Sequence, residues 1–319
     1  MVIFVFVDGV GAGAPDPAVN PLARDGYLLS RFADGSGEPL PLGGRAVLAD
    51  ARLGVSGRPQ SATGHTTILT GENAPRLIGH HLLGFPNAPL RELLRERSIF
   101  RTVREGGGRA AFANAFPVVY LRALGFDVVG EPEFELGRRR PRAAATTVAF
   151  GAAGGRFRTW QEARDGTALP HDITGDRARG HGGQLPRRDP AAAAEILLGI
   201  ARAHDFTLFE FFETDEAGHA RSMELAADAL ARVDGLLRAL LPALGPEDSL
   251  VVASDHGNVE DLSTRNHTLN PVPVLGFGGA AAEVGTIADL THIAPVLLRL
   301  AVGSDALRPV PPVDRVSGS

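Results

Sequence analysis

Cysteine is absent from the 319 residues, which excludes disulfides, thiolate chemistry and sulfur-ligated zinc and requires that any metal be held by oxygen and nitrogen. Lysine is absent as well. All 32 basic residues are arginine, so neither a Schiff-base amine nor the lysine of a Walker-type phosphate loop is available. No window approaches the roughly 18 consecutive apolar residues of a membrane span, because the Ala- and Leu-rich stretches are broken by Arg, Asp or Glu. Residues 1–7 are apolar but lack a basic leader region and a small-residue cleavage site, and they run straight into Asp8; they read as a strand rather than a secretion signal. A net charge of −5 provides no long-range attraction to nucleic acid or anionic lipid. The expectation is a cytoplasmic protein with no nucleic-acid or membrane partner that acts on small molecules.

An apolar fraction of 44% is that of an ordinary globular chain, and the length suits one large domain carrying a smaller insertion. Val2-Ile3-Phe4-Val5-Phe6-Val7 is a run of β-branched and aromatic residues, the pattern of a strand buried on both faces, and Asp8-Gly9 follows it. The unit recurs. Residues 206–212 lead to Asp215, and residues 249–254 lead to Asp255-His256-Gly257, so three strands deliver acids to one sheet edge. Helical spacing over 190–203 and 223–241 separates them, with Asp189 as a cap before Pro190. Residues 98–105 read as a further helix and 109–113 as a strand. This alternation predicts an α/β fold, a doubly wound, mostly parallel sheet with helices on both faces, whose ligands collect beyond the carboxyl ends of the strands. Residues 1–115 and 189–306 are expected to form this core, 116–188 an inserted cap, and 307–319 a flexible tail.

The segments that carry chemistry differ in specificity. Asp215 and His219 stand four apart and share one face if a helix begins there, although most such pairs are solvated surface. Adjacent Asp255 and His256 converge only where the backbone turns sharply, as Gly257 permits; the alternative is an acid that caps the next helix. His267 lies in a polar loop before a Pro-bounded edge strand, where an ordinary loop role is the simpler reading. Ser61 opens a helix stopped by Gly71 and is either a plain cap or a nucleophile beside free amides and a positive helix end. The second role needs activation by a base or metal.

Together these segments resemble the alkaline phosphatase superfamily, in the branch of cofactor-independent phosphoglycerate mutase and phosphopentomutase. Asp255-His256-Gly257-Asn258 with His267-Thr268-Leu269-Asn270-Pro271-Val272-Pro273 is similar to the mutase pattern Asp-His-Gly-Asn and His-Thr-Thr-Asn-Pro-Val-Pro. Residues 215–219 resemble its Asp-x-x-Gly-His, residues 61–65 its Ser-x-x-Gly-His, and residues 8–16 the phosphopentomutase N-terminus. The resemblance implies an alkaline phosphatase-like core with two divalent ions, manganese first and zinc or magnesium next. One would be held by Asp215, His219 and His267, the other by Asp8, Asp255 and His256, with Ser61 transiently phosphorylated. It implies a phosphatase or phosphomutase acting on a small phosphorylated metabolite. A phosphodiesterase or pyrophosphatase of the same superfamily, and a metal-binding module without turnover, are the competing readings.

The chain also departs from both families. It has no insertion of the size that carries the phosphoglycerate mutase substrate domain, and phosphopentomutase uses threonine as nucleophile, so neither substrate is transferred. Within the cap, Arg138, Arg139 and Arg140 are candidates for gripping an oxyanion and His171 for acid/base work, against the simpler readings of solvated surface and a turn or core histidine. A sulfatase is disfavoured, since the Cys/Ser-x-Pro-x-Arg sequence is missing at Ser61.

Overall fold

The structure, a computed structural model, describes residues 1–24, 26–30, 40–138 and 140–303. Arg139 and the expected tail at 307–319 lie outside the described residues.

Among the described residues eight strands are formed: β1 (Val2–Val7), β2 (Arg45–Ala49), β3 (Ala110–Phe112), β4 (Ala115–Phe116), β5 (Arg158–Thr159), β6 (Phe206–Phe211), β7 (Ser249–Ala253) and β8 (Val272–Gly278). Six of them make one sheet in the order β2-β8-β7-β1-β6-β3. β1 lies at its centre, parallel to β6 with Val2 opposite Phe206 and parallel to β7 with Val2 opposite Ser249. β3 is parallel to β6, whereas β8 runs antiparallel to β7 and β2 antiparallel to β8. The fold is thus α/β with a mostly parallel sheet. β8 is not the edge strand its prolines suggested, because β2 closes the sheet outside it. Pro273 lies opposite Leu48 of β2, but β7 has already ended at Ala253, opposite Val274, so the missing N–H forfeits no bond to β7.

The period-two alternation of β1 divides the core. Ile3, Val5 and Val7 pack with Leu197 and Leu236 of the Pro190–Arg202 and Met223–Leu240 helices, while Val2, Phe4 and Phe6 pack with Phe100 and Val296 of the Ile99–Glu105 and Ile293–Val302 helices. Helices therefore cover both faces. The Pro190–Arg202 helix starts where its composition indicated, with the Asp189 carboxylate accepting from Ala192 N at 2.8 Å and Pro190 in the first turn.

The described residues of 116–188 contribute β5, paired with β4, and four short helices. One of these, Ala145–Ala152, is continuous with the main core. Its Phe150 ring stands 5.0 Å from Phe100 and 5.8 Å from Phe112, and each such buried ring contributes about 1.5–3 kcal/mol of apolar transfer.

Candidate metal centre

The carboxyl ends of β1, β6 and β7 converge, and each strand ends just before acidic site residues. Asp8 follows β1 directly and Asp255 follows β7, while the turn after β6 starts the Glu213–Ala220 helix that bears Asp215 and His219. Two glycines allow the elements to meet. Gly9 has φ +72°, and a Cβ there would lie 2.7 Å from that of Asp215; a Cβ on Gly64 would lie 2.9 Å from that of Asp255. Any side chain at position 64 would push the Ser61–Thr70 helix off the strand ends.

All the expected liganding side chains come together. One ligand atom each from Asp215, His256 and His267 lie within 4.8 Å of one another, and so do those of Asp8, His65 and Asp255. His219 joins the first group, its Nε2 standing 3.2 Å from Asp215 Oδ2 and 3.2 Å from His267 Nε2. His256 joins the two groups: its ring stacks on His267 at 3.7 Å between centroids, and its Nε2 lies 3.3 Å from Asp8 Oδ1 and 3.2 Å from Asp255 Oδ2. Ser61 opens the Ser61–Thr70 helix, and its Oγ is 3.0 Å from His256 Nε2.

His65 belongs to this cluster, although sequence reasoning assigned it no chemistry. Its Nε2 lies 3.2 Å from Asp255 Oδ2 and 3.4 Å from Asp8 Oδ2, and its Nδ1 is 3.8 Å from Glu210 Oε1. Its signals were its place at the end of the Ser-x-x-Gly-His stretch and its position four residues after Ser61, on the same face of that helix. Glu210 is buried behind it and accepts a hydrogen bond from Thr146 Oγ1 at 2.9 Å.

Other groups fix the ring and carboxylate orientations. The far Nδ1 of His267 contacts Pro59 O at 2.9 Å and that of His219 contacts Arg265 O at 2.8 Å, which leaves both Nε2 atoms facing Asp215. Asn258 Nδ2 donates to Asp215 Oδ1 at 2.7 Å. Buried Glu260 ties three loops together, accepting from Gly11 N at 3.0 Å, Asn258 N at 2.7 Å and the Thr268 hydroxyl.

The donor set suits divalent cations. Asp8 Oδ1, Asp255 Oδ2 and His65 Nε2 are buried without hydrogen-bond partners although they lie close together, as expected of atoms aimed at a common centre rather than at each other. Carboxylate oxygen with imidazole nitrogen is chemically compatible with manganese, zinc or magnesium. In the absence of a cation, protons carry the charge balance. Burial, reinforced by Asp255 and Asp215, holds the Asp8 carboxyl well above its usual range. Burial opposes charge on His65, but Asp255 and Asp8 outweigh it and hold that imidazole well above its ordinary value. Burial pushes His256 down to about 4, while the hydrogen bond to Asp215 raises His219 to about 8.

The cap candidates fall elsewhere. Arg138 and Arg140 are exposed and border a separate hollow with Ala123 and Leu136, which none of the clustered ligands lines. His171 is not part of the cluster; it lines a neighbouring cavity with Glu210 and Phe212.

Comparison with known proteins agrees with this geometry. Residues 186–302 match the model of the Metalloenzyme superfamily. The chain is 42% identical over 79 residues to the phosphopentomutase of Symbiobacterium thermophilum, covering 24% of this chain and 20% of that protein. It is 32% identical over 122 residues to a 2,3-bisphosphoglycerate-independent phosphoglycerate mutase of Cereibacter sphaeroides, covering 35% and 24%. The chain thus spans only a fifth to a quarter of the length of these relatives. In fold it is similar to the alkaline phosphatase of Thermus thermophilus, with a TM-score of 0.54 at 14% identity over 95% of this chain and 91% of that one. Residues 186–302 thus match the metalloenzyme superfamily, and the chain is similar in sequence to segments of two phosphomutases and in fold to an alkaline phosphatase.

Proposed function

We propose that the protein is a metal-dependent phosphoryl-transfer enzyme that takes the phosphate of a small ester onto Ser61. The observation that carries this reading is the position of Ser61, whose Oγ lies 3.0 Å from His256 Nε2 at the start of a ten-residue helix whose positive end faces the carboxylate and imidazole cluster. Two divalent ions, one near Asp215, His219, His256 and His267 and the other near Asp8, His65 and Asp255, would offset the charge of the phosphate and favour ionisation of the attacking hydroxyl.

The residues of the chain then divide the work. Ser61 Oγ gives up its proton and forms a bond to phosphorus while the bond to the ester oxygen breaks; that oxygen takes up a proton and leaves as the alcohol. Water cleaves the phosphoserine in a phosphatase; a second substrate hydroxyl takes the phosphoryl group in a mutase. Asp255 and His256 are fully buried, so their charges act in surroundings of low dielectric.

The test is acid-quench mass spectrometry of the manganese-loaded protein with an aryl phosphate. A gain of one phosphoryl group on the Ser61 peptide is expected, and Ser61→Ala is expected to lose that adduct and reduce kcat by about 10³-fold or more. Full turnover by Ser61→Ala would refute the covalent route. Faster cleavage of an aryl phosphodiester than of the monoester would favour a phosphodiesterase.

A further inference from the structure

Beside the cluster lies a cavity of about 430 Å³ at the carboxyl ends of β3 and β6. It adjoins the metal centre through two lining residues: Glu210, 3.8 Å from His65, and Phe212, which immediately precedes the helix bearing Asp215 and His219. Its size is that of a small-ligand site. Its walls are aromatic: Phe116, Tyr120, Phe134, Phe212 and Trp160, the one tryptophan of the chain.

The acids of this cavity are engaged, Asp172 by the Gly175 and Arg177 backbone N–H groups at 3.1 and 2.8 Å and Glu210 by the Thr146 hydroxyl at 2.9 Å. Arg177 is the lining cation, and Glu216 holds it at 2.5 and 3.0 Å from its two terminal nitrogens while its guanidinium lies 4.8 Å over the Phe212 ring. His171 sits between Phe116 and Phe212, at 4.8 and 5.3 Å between ring centres. Burial pushes that imidazole down to about 3, so at neutral pH it offers a hydrogen bond without charge. A carboxylate, as in a phosphoglycerate, finds the Arg177 guanidinium already held by Glu216. A flat apolar group meets stacking faces on several sides.

We infer that this cavity receives the alcohol portion of the substrate and selects phosphate monoesters whose alcohol bears an aromatic or similarly flat apolar group. The inference rests on the phosphoryl-transfer reading for its chemistry, but the cavity is testable without turnover. The esters compared are 2-phenylethyl phosphate and glycerol phosphate, both with alkyl oxygen leaving groups, so that differences in kcat/KM report the alcohol site and not leaving-group acidity. The manganese-loaded protein should prefer the first by about 30-fold, the equivalent of about 2 kcal/mol at 1.4 kcal/mol per decade. Independently, 2-phenylethanol should shift Trp160 emission saturably in the metal-free protein, with excitation at the red edge where phenyl does not absorb.

Phe134→Ala, which opens the wall, and Ala144→Leu, which fills the cavity instead, should each reduce the kcat/KM ratio and weaken the Trp160 titration. Both variants line the cavity from opposite directions of volume change, so misfolding of one leaves the other decisive. Equal or better turnover of glycerol phosphate with no Trp160 response overturns the inference while leaving phosphoryl transfer intact. If no ester is turned over, the phosphoryl-transfer reading fails by itself, and the Trp160 titration decides the cavity: a saturable shift lost in both variants upholds it, and no shift overturns it.

Discussion

Metal removal should lower the melting temperature of this protein by an amount that its geometry allows to be worked out. Asp8, Asp215 and Asp255 converge, and their ion-pair partners among the described residues are imidazoles, so the folded chain holds its acids together without a permanent cation. A cation that binds the folded form alone adds RT ln(1 + [M]/Kd), about 2.7 kcal/mol for a site at 100 times its Kd. With about 2.1 cal/mol/K of unfolding entropy per residue, 319 residues give about 0.67 kcal/mol/K, so each filled site raises Tm by about 4 °C and two sites by about 8 °C. Differential scanning calorimetry of chelated protein, titrated separately with manganese, zinc and magnesium, measures this. Asp255→Asn, which halves the charge that Asp8 and Asp255 present, should lose most of the shift from its own site. Identical melting with and without each cation, or an undiminished shift in Asp255→Asn, would refute the proposed sites.

His65→Ala should weaken metal affinity by about 10–100-fold, a loss read by manganese titration against Tm; unchanged affinity would make His65 a packing residue. The metal-free protein should also be most stable near neutrality. Asp8, His65 and His219 bind more protons folded than unfolded, so their contribution is present on the acid side and fades as pH rises, for His219 from about 6.5 through about 8. His256, at about 4, and His171, at about 3, bind fewer protons folded, so their contribution is present above about 6.5 and is lost as pH falls toward those values. Tm in chelator should therefore fall on both sides of pH 6–7, and bound cation should flatten the alkaline side; a steady rise from pH 6 to 9 in chelator would contradict these assignments.

Much of this was legible in the sequence because the informative features are local. The apolar run at residues 2–7 can only be a strand covered on both faces, and the structure gives β1 two parallel neighbours and two helical layers. Gly71 stops its helix in the left-handed conformation at φ 76°, as its place after Thr70 indicated. What stayed hidden depended on partners distant in the chain. His65 lies in a small, polar helix segment with no apolar period to mark its buried face, and its acids stand 57 and 190 residues away, at Asp8 and Asp255. Glu260 reads as an ordinary loop acid until Gly11 and Thr268 are seen to donate to it. The cavity beside Glu210 is likewise built from short segments between positions 115 and 212, none of which has a recognisable pattern alone. The interior position of β8 was missed for another reason: its cover, β2, is a short strand of mixed polarity with exposed Arg45 and Leu48.

The central place of β1 has a consequence for how the chain is made. Its hydrogen-bonding neighbours begin at Phe206 and Ser249, so during synthesis a sticky ribbon of Val, Ile and Phe emerges from the ribosome some two hundred residues ahead of either. Until they arrive, both of its edges are open to the wrong neighbours, and the nascent chain needs shielding by a chaperone or by transient burial against its own early helices. Cation capture must wait as well: with ligands drawn from Asp8 through His267, the pocket cannot close around an ion before the last strands have threaded into place.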